Sequence, residues 1–83
     1  MTCRVLEAVN KLRAEYQIGP PLSELPKGKP GSVCRCPMAI ALDGVVDGAT
    51  VYFPRIDEVH DLPTVIRQFT ELFDDGDFPE LEL

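Results

Sequence analysis

Val45-Val46-Asp47-Gly48-Ala49-Thr50-Val51-Tyr52-Phe53 is the stretch that decides the fold. Asp-Gly between β-branched and aromatic flanks is the favoured pair for a two-residue type I′ hairpin turn. Pro54 ends the second strand, because it has no N–H to give a ladder. An isolated hairpin is marginal in water, so this one must pack on helices or pair with another chain's edge. The rest of the chain reads as helix or loop. The expected class is α+β: a small, mainly helical single domain with two amphipathic helices, a short helix and a β-hairpin.

Upstream of the hairpin, Pro37 to Leu42 reads as the short helix. Proline suits a first turn, Ala39 and Ala41 favour helix over strand, and Asp43-Gly44 would end it. Before it lies a Pro/Gly-rich loop, residues 18–32, with four prolines and three glycines. Leu22 and Leu25 are the residues expected to pin it to the core. Lys27-Gly28-Lys29 reads as its exposed basic tip. The glycine–lysine spacing of a phosphate-binding loop is absent.

The first segment, Thr2 to Gln17, places Val5, Leu6, Val9, Leu12 and Tyr16 on one helical face. Thr2 is its expected cap, and Gly19-Pro20-Pro21 its expected stop. Downstream of the hairpin, Leu62, Val65, Ile66, Phe69, Leu72 and Phe73 form the widest apolar stripe. Asp61 is the expected cap of that helix, with Pro63 in its first turn. An acidic C-terminal tail, residues 74–83, completes the single domain, 1–83. Folding back onto the core is its favoured reading, given Phe78, Leu81 and Leu83. The alternative is a docking peptide.

Eighty-three residues allow one domain with a small core, which an oligomer, a metal or a disulfide could supplement. Oligomerisation is the preferred supplement. No run approaches the length of a membrane span, and Glu7, Lys11 and Arg13 interrupt any signal-like start, so a cytoplasmic location is expected. Three cysteines suit reduced thiols better than a disulfide framework.

The net charge of −6 hides an asymmetry. Residues 1–36 carry six basic and three acidic side chains, whereas residues 57–83 carry nine acids against Arg67 alone. Direct nucleic-acid binding is disfavoured, since it needs a basic face. An acidic end suits a basic protein partner and steers its approach, or simply keeps the chain soluble. Asp74, Asp75, Asp77, Glu80 and Glu82 are the partner-binding candidates. Acids at a helix C-terminus oppose its dipole.

Chemistry is sparse. Cys36, at the expected N-cap, would have a thiolate favoured by backbone amides and by Arg35, and Cys34 could pair with it. This is not the spacing of thioredoxin-like proteins. Cys3, Cys34, Cys36 and His60 form a Cys₃His composition suited to zinc, but without the paired spacings of zinc motifs. His60 reads as a surface or capping residue beside a helix start. The acids near the C-terminus lack the calcium-loop spacing. No cofactor is expected, and no hydrolase set is complete.

Leu25-Pro26-Lys27-Gly28, Cys36-Pro37-Met38-Ala39-Ile40-Ala41-Leu42, Val51-Tyr52-Phe53, Leu62-Pro63 and Phe73-Asp74-Asp75-Gly76-Asp77-Phe78-Pro79-Glu80-Leu81 together resemble small uncharacterised proteins of actinobacteria and their phages. The resemblance covers most of the chain and implies a compact intracellular protein, with no catalytic residue to carry over. The expected function is a non-catalytic binding or regulatory protein acting through its acidic end, in one version a phage-encoded modulator of a host protein. The alternatives are a thiol-redox or zinc protein using Cys34 and Cys36, and a structural homo-oligomer.

Overall fold

The computed structural model describes residues 2–83. The elements run α1 (Thr2–Glu15), α2 (Pro37–Leu42), β1 (Val45–Asp47), β2 (Thr50–Phe53), β3 (Glu58–Asp61), α3 (Thr64–Asp74) and a single 3₁₀ turn at Pro79–Leu81. The class is α+β, with helices set against a three-stranded antiparallel sheet in the order β1-β2-β3. Val5 and Val9 of α1, Met38 and Leu42 of α2, and Ile66, Phe69 and Phe73 of α3 are all fully buried. Val46, Val51 and Phe53 complete the core from the sheet. Among the described residues no helix is long and apolar enough to cross a membrane.

All three helices end in the same way. At α1 the Gln17 amide donates to the Ala14 carbonyl and the Ile18 amide to that of Arg13. At α2 Asp43 and Gly44 donate to Ile40 and Ala39, and at α3 Gly76 and Asp77 donate to Phe73 and Leu72. This pair of bonds needs a left-handed residue at the closure. Gln17, Asp43 and Gly76 supply it, with φ of 53°, 53° and 88°. Helix α1 therefore closes on Gln17 and stops ahead of Gly19-Pro20-Pro21. The Thr2 side chain, the expected cap, lies outside those described.

The hairpin forms, with two corrections. Asp47 pairs with Thr50, so the turn residues are Gly48-Ala49, not Asp47-Gly48. Only Gly48 has positive φ, +60°, which is the signature of a type II′ turn, since type I′ needs positive φ at both positions. The second correction is a third strand. Pro54–Asp57 makes a four-residue turn, with the Ile56 amide on the Phe53 carbonyl. Glu58–Asp61 then returns along β2, pairing Val51 with His60 and Tyr52 with Val59. Asp61 is thus a strand residue rather than a helix cap. The Leu62 amide is taken by the Ala49 carbonyl at 2.8 Å. Pro63 occupies the N-cap of α3 without a side-chain cap bond, because the chain leaves the sheet only at that point.

The long loop is tied down at several points. Asn10 of α1 clips the backbone of Leu22, accepting from its amide at 2.7 Å and donating to its carbonyl at 3.0 Å. Arg13 donates to the carbonyls of Pro20 and Ala41, joining α1 to the loop and to the end of α2. Lys27 and Lys29 are exposed, but Gly28 between them is buried, so the segment is no free tip. Gly28 donates to the Leu81 carbonyl and accepts from the Leu83 amide, forming a parallel bridge with Glu82. The tail lies against the body of the protein, and the Phe78 ring sits 4.8 Å from that of Phe69.

Candidate functional site

The acids named from the sequence fall into two groups. Asp74 is the last residue of α3, Asp75 its C-cap, and Asp77 follows Gly76. All three are exposed. Asp74 also accepts from the Gly31 amide at 2.9 Å, which ties the loop to the end of the helix. Glu80 lies in the 3₁₀ turn, beside a cavity of about 320 Å³ shared with Cys3, Leu6, Ser23, Leu25 and Leu81. Glu82 is half-buried at the bridge with Gly28. Among the described residues no Lys or Arg side chain forms an ion pair with a carboxylate, so none of the five acids has a Lys or Arg partner there.

Sequence reasoning missed the chain Tyr16–His60–Glu58. The Tyr16 hydroxyl meets His60 Nδ1 at 3.2 Å, and His60 Nε2 meets Glu58 Oε1 at 2.8 Å. In the neutral tautomer that gives its Nε2–H to the Glu58 carboxylate, Nδ1 accepts from the tyrosine hydroxyl. Tyr16 packs in tilted contact against both Phe53 and His60, at 4.9 and 4.8 Å between centroids. Burial first, then the charges of Glu15 and Glu58, push the Tyr16 phenol up, so it stays a neutral donor. Both ring nitrogens are engaged within the chain, so the group ties the end of α1 to the sheet instead of presenting a free base. The available signal was the alternation of Glu58 and His60, which share one strand face.

The thiols separate. Cys34 is exposed in the turn before α2, whereas Cys36 is 2% exposed at its N-cap, where Sγ accepts from the Ala39 amide at 3.4 Å. Burial is the largest influence and pushes the Cys36 thiol up; the nearby Asp74 charge adds to it, and the amide bonds only partly offset it. This corrects the expectation of a stabilised thiolate, since desolvation outweighs the helix start. The fold stability held by the protonated thiol is present below its ordinary pKa and is lost as pH rises through the raised one. At neutral pH iodoacetamide should therefore label Cys3 and Cys34 and spare Cys36. Native mass spectrometry should count two adducts, with a third only after denaturation. Three adducts forming at comparable rates would contradict this placement. Nor is the zinc set assembled: among the described residues no group of three His, Cys, Asp or Glu side chains could hold a metal ion.

A last feature is the outer face of the sheet. Val46, Val51 and Phe53 point inward. Val45, Tyr52 and Val59 form a cross-strand row on the opposite face, next to the row Asp47, Thr50 and Asp61. Every residue of these two rows is half-buried or exposed. The Tyr52 hydroxyl donates to Asp57 Oδ1 at 2.8 Å, a bond that, more than burial, pushes its phenol up. No protein-family model, curated protein or solved structure matches the chain.

Proposed function

We propose that this chain is a non-catalytic binding or regulatory protein that engages a basic protein partner through Asp74, Asp75, Asp77, Glu80 and Glu82. The observation that carries the reading is that three acids at the end of α3 and two in the tail have no cation paired to them among the described residues. Acids at a helix C-terminus cost roughly 0.3–1 kcal/mol each at low salt. Asp74 recovers part of that cost through Gly31, whereas Asp75 and Asp77 form no side-chain bond among the described residues. Carboxylates held in this way attract a basic surface and gain most when a partner's lysines and arginines arrive.

The test separates Asp74, which also holds the loop, from the other acids. A partner isolated with the parent chain is measured again with the triple variant D75N/D77N/E80Q. Its affinity should fall about tenfold or more, since each 1.4 kcal/mol is a factor of ten, and its salt dependence should flatten. The melting temperature should stay close to the parent's, because exposed substitutions change stability by about 0.5 kcal/mol or less. A variant that binds as tightly as the parent ends the proposal. The thiol reading is not favoured, since Cys36 is buried and its thiol is pushed up.

A further inference from the structure

We propose that the bare outer face of the sheet is a second docking surface, and that it takes a flat protein segment whose apolar side chains are flanked by lysine or arginine. It does not depend on the acids of α3.

The face has two rows in register. Val45, Tyr52 and Val59 make an apolar stripe across all three strands. Asp47 and Asp61 flank Thr50 in the adjacent row, and Asp57 lies beside Tyr52 in the β2–β3 turn. The six residues of the two rows include no cation. Val59 is 62% exposed at the centre of the edge strand β3, an unusual place for a β-branched apolar residue with nothing to cover it. Antiparallel sheets commonly leave one face to water, but that face is then polar. Here one of its two rows is not.

Charge selects the occupant. A second copy of this chain would bring a face with the same acids and no cation to pair with Asp47 and Asp61, and unpaired like charges oppose association. A nucleic acid is repelled for the same reason. A segment carrying Lys or Arg beside Val, Ile or Leu satisfies both rows, covering the stripe and pairing with the carboxylates. Tyr52 is already oriented by Asp57, so it loses little side-chain freedom on contact, and tyrosine is among the residues that most often anchor interfaces. At its Asp47 end the face borders a depression of about 180 Å³ whose lining includes Glu71 and Asp74, so the acidic field continues from the sheet to the helix.

The experiment is an amide NMR titration of the intact ¹⁵N-labelled chain with a capped seven-residue peptide that carries lysine at positions 1 and 7, valine at 3 and 5 and threonine between them, so that both residue types share one face of the extended segment. The same peptide with glutamate in place of lysine is the control. Saturable shifts should cluster at Val45, Asp47, Thr50, Tyr52, Val59 and Asp61, and the glutamate peptide should produce none. Val59→Lys, at an exposed site that the fold tolerates, should raise the peptide Kd about tenfold. Asp47→Asn with Asp61→Asn should flatten its salt dependence. Shifts confined to Asp74–Asp77 would overturn this inference while leaving the proposed function standing. Equal binding by Val59→Lys would overturn it too. So would shifts at the sheet that follow protein concentration without peptide, which would make the occupant a second copy.

Discussion

A chain carrying Gly28→Ala is expected to lose its docked tail and much of its stability. A Cβ at this position would sit 2.4 Å from the Arg35 carbonyl oxygen, 2.6 Å from the Pro37 nitrogen and 2.7 Å from the Cys36 carbonyl carbon. All three are backbone atoms at the start of α2, so no side chain can swing aside to make room. Either α2 or the 26–29 segment must move, and the move separates Gly28 from Leu81 and Leu83, its two partners in the tail. Overpacking costs about 1–3 kcal/mol in ordinary cores, occasionally more. Backbone contact on three atoms places this case at or above the top of that range. Urea denaturation should show the loss, and hydrogen exchange should show the Gly28 and Leu83 amides unprotected. A melting temperature within a degree or two of the parent's would mean that the close crossing is not as described.

Phe69→Ala should have the largest effect on global stability. Phe69 is fully buried, stacks on Phe73 at 6.1 Å between centroids and meets Phe78 at 4.8 Å. It therefore joins α3 to the tail. Removing such a ring costs about 3–5 kcal/mol, as lost transfer free energy plus the cavity left behind. A domain of this size holds roughly 4–12 kcal/mol in total, so the variant should be near or below half-folded in mild denaturant. Thermal melting should fall by roughly 15–30 °C. Phe69→Leu, which keeps much of the volume, should recover a large part of the loss. If the alanine variant melts like the parent, the tail and α3 do not share a core.

The elements differ in how clearly their sequences announced them. Helix α2 runs from Pro37 to Leu42, as proline at the start, alanines within and Asp43-Gly44 at the end had suggested, because each signal is local. The strands β1 and β2 were legible for the same reason, in their β-branched and aromatic residues. The turn between them was misplaced by one residue, since register is set by the burial of Val46 and Val51 and not by the dipeptide alone. Strand β3 left almost no trace. Its only apolar residue, Val59, faces water, and the residues on its inner face are Glu58 and His60, so pairing with β2 imposes the strand on a polar sequence. Asp61 looked like a cap because nothing local shows that Leu62 is held by Ala49. Helix α1 was expected over Thr2–Gln17 and its last helical residue is Glu15, with Gln17 in the left-handed closing position ahead of the prolines.

The candidate site was partly legible. Asp74, Asp75 and Asp77 stand around the end of α3 where the charge run placed them, but the bond from the Gly31 amide to Asp74 joins residues far apart in sequence. The Tyr16–His60–Glu58 chain was hidden because its members come from α1 and from a strand that the sequence did not show. Cys36 was placed correctly at a helix start and given the wrong chemistry. Its position is a local property, whereas its burial depends on the whole core.

The bridge between Gly28 and Glu82 also bears on the order in which the chain assembles. The helix closures, the Gly48-Ala49 turn and the Pro54–Asp57 turn join near neighbours and close small loops, which are the contacts a chain makes fastest. The bridge must bring the final residues back across most of the sequence, and it gains nothing until the loop around Gly28 is already seated over α2. The middle of the protein is therefore expected to condense first and the tail to arrive last. A contact made last on the way in is the first to part on the way out. The strip along Gly28, Leu81 and Leu83 is the seam at which the domain is expected to open first to solvent while its helices and sheet stay intact.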